Sequence, residues 1–300
     1  MREAVIVSTA RTALTKAARG AFNNTHGIKL AAHSIEHAIA RAGIDPAEVD
    51  DVILGNAAQS GTTGFNIARN AALAAGCPVT TSGTSVNRFC SSGLQTLAMG
   101  AGRIIAEGVD VMVTGGVESI SLPGTSDVKE SVEPELYGKY PGLWYPMIKT
   151  ADIVADRYSI SREAQDEYSL ISQQRTAAGQ ETGAFDDEIV PMNTIMKVKN
   201  KETGEITEHA AVADKDDCNR PSTTIEGLAS LNPIMGEDAF ITAGNASQLS
   251  DGSSAQVLLE RSEAERRGLH ILGTIRCFAV GGCAAALVLA RCMVVVFPPL

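Results

Sequence analysis

Residues 83–93 read GTSVNRFCSSG and place Cys90 between a predicted strand, Thr84–Val86, and a predicted helix over residues 91–107. Backbone N–H groups at a helix start and the helix dipole stabilise a thiolate, and Arg88 adds positive charge nearby. We therefore expect Cys90 to be a nucleophile with a lowered pKa. A lone cysteine near a helix start is also typical of buried, inert packing, so that alternative stays open at this point.

The first 120 residues around this segment alternate short apolar runs with amphipathic helical stretches. This βαβ pattern predicts an α/β fold with a mainly parallel sheet. The other predicted strands and helices before the insertion are strands Ala4–Thr9, Asp51–Leu54 and Asp110–Thr114, and helices Gly27–Ala42 and Asn66–Ala75.

Proline and glycine residues interrupt the pattern after Gly115-Gly116, which indicates a loop-rich insertion. The sequence predicts two helices in this insertion, Thr150–Ser159 and Ser161–Thr182, with Ser161 as an N-cap. Residues 186–213 are polar and alternating, as in exposed strands or extended loops. The chain then returns to apolar residues: a strand with a charged helical turn over Ser254–Arg267, and a further strand, Ile271–Val280.

Composition limits the classes of function. The 300 residues carry 25 Lys and Arg against 35 Asp and Glu, a net charge of −10, which argues against a broad nucleic-acid surface. Aromatic residues make up 4% and glycines number 28, so we expect a layered α/β core of small aliphatic side chains. The six cysteines show no C-x-x-C spacing and no secretory signal is evident, which predicts reduced thiols, no metal site and a cytoplasmic location.

Residues 86–95, VNRFCSSGLQ, resemble the signature of the thiolase family, the acetyl-CoA C-acyltransferases and acetyltransferases. Arg11-Thr12, residues 115–119 and residues 161–166 also resemble that family. The resemblance implies the layered αβαβα thiolase fold and makes Cys90 the residue that is acylated. Ketoacyl synthases share this fold but differ around their cysteine, so they are a distant second.

Two further segments resemble the family's coenzyme A site. In residues 217–226 the resemblance places Arg220 near the adenosine phosphate, with Thr223 in the same segment. In residues 242–252 it places Ser247 on the pantetheine amide. Met147 matches a methionine of the pantetheine channel, although Pro146 stands where the family has histidine. Read without the resemblance, these are a surface arginine and an ordinary polar turn.

The resemblance also implies a domain organisation. Residues 1–120 and 250–270 form the N-terminal domain, and 121–249 form a loop domain inserted in it that binds coenzyme A. Residues 271–283 begin a C-terminal domain that is largely missing, and 284–300 form an unmatched apolar tail. We expect the chain to be truncated after about residue 283. A shifted reading frame, an apolar strand pair and, less well supported, a membrane segment are the alternatives for the tail.

The family's asparagine-glutamate-alanine-phenylalanine, glycine-histidine-proline and glycine-rich cysteine motifs do not occur in this sequence. The resemblance implies thiolytic cleavage or Claisen condensation of 3-oxoacyl-CoA through acyl-Cys90, with acyl-CoA and coenzyme A as co-substrates and no tightly bound cofactor. Without the histidine and second cysteine we expect this chain to be inactive or severely impaired. The alternative is a non-catalytic remnant that binds coenzyme A or associates with intact subunits. The family further implies a homo-oligomer, a dimer or tetramer, with no nucleic-acid or membrane partner.

Overall fold

A computed structural model of the chain describes residues 2–123 and 132–282. Of these, one compact unit contains residues 2–123, Gly183–Cys218 and Leu249–Phe278, and a second contains 132–182, Asn219–Gln248 and 279–282. The predicted tail 284–300, with Cys283 before it, lies outside the described residues. The predicted domain boundaries stay a prediction.

The first unit is built on a seven-stranded sheet with a separate two-stranded hairpin. The nine strands of the described residues are β1 Ala4–Arg11, β2 Thr15–Lys16, β3 Asp51–Gly55, β4 Ser82–Val86, β5 Val111–Glu118, β6 Met192–Lys199, β7 Ile206–Ala213, β8 Ser250–Glu260 and β9 Gly273–Thr274. The main sheet has the order β4-β3-β5-β8-β1-β9, and β2 pairs with β8. β6 and β7 form the hairpin, so the polar segment predicted as exposed strands or loops is a pair of strands.

The sheet is mixed, and the expectation of a mainly parallel sheet is wrong. β3 runs parallel to β4 and β5, as the βαβ pattern predicts. β8 enters between β5 and β1 and is antiparallel to both. Because β8 follows a long excursion rather than a crossover helix, the chain can approach it from the opposite end of the sheet.

Eight helices are described: α1 Gly27–Ala42, α2 Ile67–Ala74, α3 Ser92–Gly102, α4 Pro134–Lys139, α5 Met147–Arg157, α6 Arg162–Glu181, α7 Ile225–Ala229 and α8 Arg261–Arg266. α1 has the predicted bounds and stops at Gly43, whose φ of 65° is the left-handed conformation that favours glycine. The predicted helix after Cys90 is α3 followed by one π-helical turn, Arg103–Glu107. The predicted strand Ile271–Val280 is reduced to β9, which pairs with β1.

Side chains of the central strands alternate between two apolar layers. Val52, Leu54 and Val113 point into the layer formed with α1 and α2. Ile53 and Met112 point to the opposite face, where Ala101 and Ile104 of α3 and its π-helical turn cover them. The period of two in a strand therefore puts α1 and α3 on opposite faces of the sheet.

In the described ranges, no helix combines the length and the apolar character needed to cross a membrane. The same residues contain no group of three or more His, Cys, Asp or Glu side chains arranged to hold a metal ion.

Gly115 lies where β5 and β8 approach each other closely, so a larger residue at this position should lower stability. A Cβ atom on Gly115 would lie 2.1 Å from the Ser254 carbonyl oxygen on β8. We predict that Gly115→Ala lowers the free energy of unfolding by about 1–3 kcal/mol, because backbone must shift to make room. Gly102→Ala is the matched control: its Cβ meets nothing within 4 Å, and the helical backbone favours alanine by about 0.5–1 kcal/mol. Urea unfolding followed by circular dichroism measures both, and equal effects would contradict the packing described here.

Candidate functional site

The turn between β4 and α3 carries Cys90 on the surface of the first unit. Residues 87–91 are all exposed, and Phe89 has a φ of 46°, which a bulky residue rarely adopts. The Asn87 side chain accepts a hydrogen bond from the Phe89 N–H (2.8 Å). The Ser92 hydroxyl accepts from the Arg88 N–H (2.8 Å) and donates to the Phe89 carbonyl (2.6 Å). These bonds fix the strained turn on both sides of the cysteine.

Two glycines let the start of α3 rest directly on the sheet. A Cβ on Gly55, at the end of β3, would lie 2.4 Å from the backbone carbonyl carbon of Ser92. A Cβ on Gly116 of β5 would lie 3.0 Å from the Gly55 carbonyl oxygen and 3.6 Å from the Gly93 Cα. Of the Gly115-Gly116 pair singled out in the sequence, Gly116 is therefore a packing requirement beneath the Cys90 turn, whereas Gly115 faces β8.

Glu118 holds the loop after β3 beside this turn. Its carboxylate accepts hydrogen bonds from the N–H groups of Ala57 (2.8 Å) and Ala58 (3.2 Å). The Asn87 amide donates to the Ala57 carbonyl (2.9 Å). Asn87, Ser92 and Glu118 all lie inside the segments that resemble the family, but the sequence assigns them no role. The sequence signal that could have identified these three residues is a polar side chain close to a glycine-rich strand end.

Cys90 is exposed, as is Cys277, whereas Cys77 is buried and Cys218 half-buried. The interpretation of Cys90 as a buried packing residue is therefore wrong, and Cys77 is the cysteine that fits it. The Arg88 Nε donates to the Gln95 side chain on α3 (2.8 Å), which keeps this cation on the turn that carries Cys90.

The predicted coenzyme A residues all belong to the second unit. Arg220 and Thr223 share one turn, in which the Thr223 N–H and hydroxyl donate to the Arg220 carbonyl (3.0 and 2.7 Å). Ser247 lies in a separate loop, with its hydroxyl exposed and donating to the Gln248 carbonyl (3.3 Å). Met147 is the first residue of α5 and is 49% exposed. The structure thus brings Arg220 and Thr223 together, and Cys90 belongs to the first unit.

Arg11 and Arg220 differ in what their side chains contact. The Arg11 guanidinium donates to both carboxylate oxygens of Asp216 (2.8 and 2.9 Å) and to Glu188, so it is committed to the first unit. Arg220 is exposed, and its guanidinium makes no ion pair with any carboxylate of the described residues. The Arg11-Thr12 motif is therefore structural here, while Arg220 presents an available cation.

The family model for the thiolase N-terminal domain matches residues 4–262 of this chain. The chain belongs to the thiolase family. It is 38% identical over 283 residues to a 3-ketoacyl-CoA thiolase of Bacillus subtilis (strain 168), covering 94% of this chain and 72% of that relative. It is 39% identical over 285 residues to the human peroxisomal 3-ketoacyl-CoA thiolase, covering 93% and 65%.

A solved structure supports the same membership. The crystal structure of the Bacillus anthracis acetyl-CoA acetyltransferase superposes on this thiolase-family chain with a TM-score of 0.78 and 34% identity, covering 92% of this chain and 70% of that one. The expected thiolase fold is confirmed. The chain spans about two thirds of the length of the thiolases that it matches.

The Ser92 hydroxyl is buried and makes two hydrogen bonds, one with the Arg88 N–H and one with the Phe89 carbonyl. We predict that Ser92→Ala lowers the free energy of unfolding by about 1–3 kcal/mol, because the Arg88 N–H loses its acceptor. Ser91→Ala, at the exposed adjacent position, should change it by less than about 0.5 kcal/mol. Thermal and urea unfolding of the two variants test this, and an equal loss in both would show that Ser92 does not fix the turn.

The cysteines should also differ in reactivity. Burial raises the pKa of the Cys77 and Cys218 thiols, so both hold less thiolate than an ordinary cysteine, and both are less accessible than Cys90. We predict that limiting iodoacetamide at neutral pH labels Cys90 well before either of them. Peptide mass spectrometry of the native chain gives the order, with urea-unfolded chain as the control in which the differences disappear. Early labelling of Cys77 would contradict the described burial.

Proposed function

We propose that this chain carries the acyl-transfer chemistry of a thiolase at Cys90. The Cys90 sulfur attacks the keto carbon of a 3-oxoacyl-CoA, the bond between the α and keto carbons breaks, and the α carbon takes a proton to leave as acetyl-CoA. A second coenzyme A thiol then takes the acyl group from the sulfur, and condensation is the reverse. The exposed Cys90 on a turn fixed by Asn87 and Ser92 is the observation that carries this proposal.

The coenzyme A site of this proposal is formed by Arg220, Thr223, Ser247 and Met147. The unpaired Arg220 guanidinium suits the forked oxygens of the adenosine phosphate. The exposed Ser247 hydroxyl is available to the pantetheine amide. Half of the Met147 side chain is accessible to an extended apolar chain.

A second candidate function is coenzyme A binding without turnover, or association with intact subunits. His33 and His37 lie on α1, across the sheet from α3, and no described histidine is hydrogen-bonded to the Cys90 turn. Covalent catalysis requires a base that activates the thiol and takes up the proton. We therefore predict thiolysis orders of magnitude slower than that of an enzyme with such a base.

We propose that the chain is cytoplasmic, acts in fatty acid metabolism and forms homo-oligomers. The four described cysteines are free thiols, which supports a reducing compartment. β4 is an edge strand of the sheet, and Phe65 and Val79 near it are 97% and 80% exposed, which supports self-association. Sedimentation velocity tests the last point, and a monomer at all concentrations would overturn it.

Acylation can be tested apart from turnover. Prolonged incubation with excess acetoacetyl-CoA should add one acetyl group to the intact chain, because acylation needs only one turnover: the sulfur bonds to the keto carbon, the C–C bond breaks, and the leaving α carbon takes a proton from solvent. Cys90→Ala should abolish the addition, while Cys277→Ala, at the other exposed cysteine, should leave it unchanged. Intact-mass and peptide mass spectrometry give the site. Thiolysis at an ordinary rate, followed by loss of enolate absorbance, would overturn the expected impairment.

Coenzyme A binding distinguishes the remaining outcomes. Calorimetric titration of the 300-residue chain should show binding that Arg220→Ala weakens by about tenfold or more, since a charge-assisted contact is lost. Arg175→Ala, an exposed arginine of α6, is the matched control and should have no effect. Coenzyme A binding without acylation of Cys90 favours the second candidate function. Absence of coenzyme A binding contradicts both the proposed coenzyme A site and the binding remnant.

A further inference from the structure

One polar stripe of α6 contacts both segments of the proposed coenzyme A site. Arg162, Asp166, Gln173 and Gln180 are spaced four, seven and seven residues apart. At 3.6 residues per turn they lie within about 40° of one another around the helix. Each of the four makes a hydrogen bond to a segment outside α6.

The C-terminal half of this stripe holds the turn that carries Arg220. The Gln173 side-chain oxygen accepts a hydrogen bond from the Arg220 backbone N–H (2.6 Å). The Gln180 oxygen accepts from the Asn219 amide (3.0 Å). Because the contact at Arg220 is to its backbone, the turn is fixed while the guanidinium stays exposed.

Arg162, at the start of α6, holds α7, which follows the same turn. Its guanidinium donates to the carbonyl of Leu228 in α7 (2.7 Å) and to that of Leu231, two residues beyond the end of the helix (3.1 Å). The Leu228 carbonyl also accepts from the Leu231 N–H (3.1 Å), so the guanidinium is a second donor there and holds the turn in which α7 ends. Its Nε donates to Asp166 (2.7 Å).

Asp166 connects this end of α7 to the loop that carries Ser247. Its second carboxylate oxygen accepts from the Asn245 amide (3.0 Å). Asn245 in turn closes the loop, donating to the Phe240 carbonyl (3.2 Å) and accepting from the Thr242 N–H (2.8 Å). The loop also packs tightly on α7, since a Cβ on Gly244 would lie 2.5 Å from the Leu228 side chain.

The Asp166 carboxylate accepts hydrogen bonds from two donors, the Arg162 guanidinium and the Asn245 amide, and its side chain is 3% exposed. An amide at this position has one acceptor oxygen, and its NH₂ group would face one of the two donors. A charge in this environment is costly unless it is paired, so its presence points to a geometric role rather than to net stability.

We infer that Asp166, acting through Arg162 and Asn245, is a positioning residue that fixes the two coenzyme A segments relative to each other. Residues 219–231 and residues 240–247 pack on each other at Leu228 and Gly244, and the α6 stripe forms hydrogen bonds to both segments. This inference rests on the proposed function, because it takes Arg220 and Ser247 as the groups that meet coenzyme A.

Asp166→Asn is the principal test, measured in the full 300-residue chain. Hydrogen exchange should rise in residues 225–231 and 240–247 and stay unchanged in the sheet of the first unit. The affinity for coenzyme A should fall by about tenfold or more, the size expected for losing a charge-assisted hydrogen bond. Glu167→Gln, an exposed carboxylate on the next position of the helix, should change neither measurement.

A double variant separates positioning from stability. Arg162→Met with Asp166→Leu replaces the ion pair by apolar side chains of similar volume, which restores or raises stability in other buried pairs. We expect the thermal midpoint to recover and the affinity for coenzyme A to stay weak, because neither apolar residue holds Asn245 or the carbonyls of Leu228 and Leu231. Recovery of affinity together with stability would overturn the inference.

The two proposals fail in different ways. Absence of coenzyme A binding to the unaltered chain overturns the proposed function. Unchanged exchange in residues 225–231 and 240–247 of Asp166→Asn overturns the positioning role, whatever the binding result. Raised exchange with unchanged affinity also overturns it, since the two segments would then not need to be fixed for binding.

Discussion

The pairing of β8 with β5 on one side and β1 on the other is the constraint on which the first unit depends. Without β8 the sheet would divide into β4-β3-β5 and β1-β9, because no other described strand joins them. Eight of the eleven residues of β8 are buried, and the strand contributes to both apolar layers through Val257 and Leu258. At its start the Asp251 carboxylate accepts from the N–H groups of Ile120 (2.7 Å) and Ser121 (2.9 Å), which fixes the chain just beyond β5.

Local elements were predictable because local interactions determine them. α1 has the expected bounds, since its apolar period and Gly43 suffice to define it, and Ser161 caps α6 as predicted. The central antiparallel strand was not predictable in the same way. The sequence predicts a strand that begins at Ser254, but the position of β8 between β5 and β1 is decided by partners more than a hundred residues away in sequence. Periodicity carries no information about such partners.

In the candidate site, too, the sequence predicts the local features and misses those that depend on distant contacts. Cys90 is found from the sequence because its chemistry and its neighbours are contiguous. The Ser92 hydroxyl bonds and the Glu118 contacts depend on how a turn and a strand end meet in space, so residue type alone does not indicate them. The sequence alone also does not show which arginines are available to a ligand. Arg11 is paired with Asp216, whereas Arg220 makes no ion pair among the described residues.

The central position of β8 has a consequence for biosynthesis. β1 leaves the ribosome first, but its register pairs Ala4 with Glu260 and Arg11 with Ser254. Nearly the whole described chain must therefore be translated before β1 gains its main hydrogen-bonding neighbour, Ser250–Glu260. Contacts of such sequence separation are slow to form and leave strand edges open to other chains. Until Ser250–Glu260 has been made, one edge of β1 is therefore open to pairing with other chains.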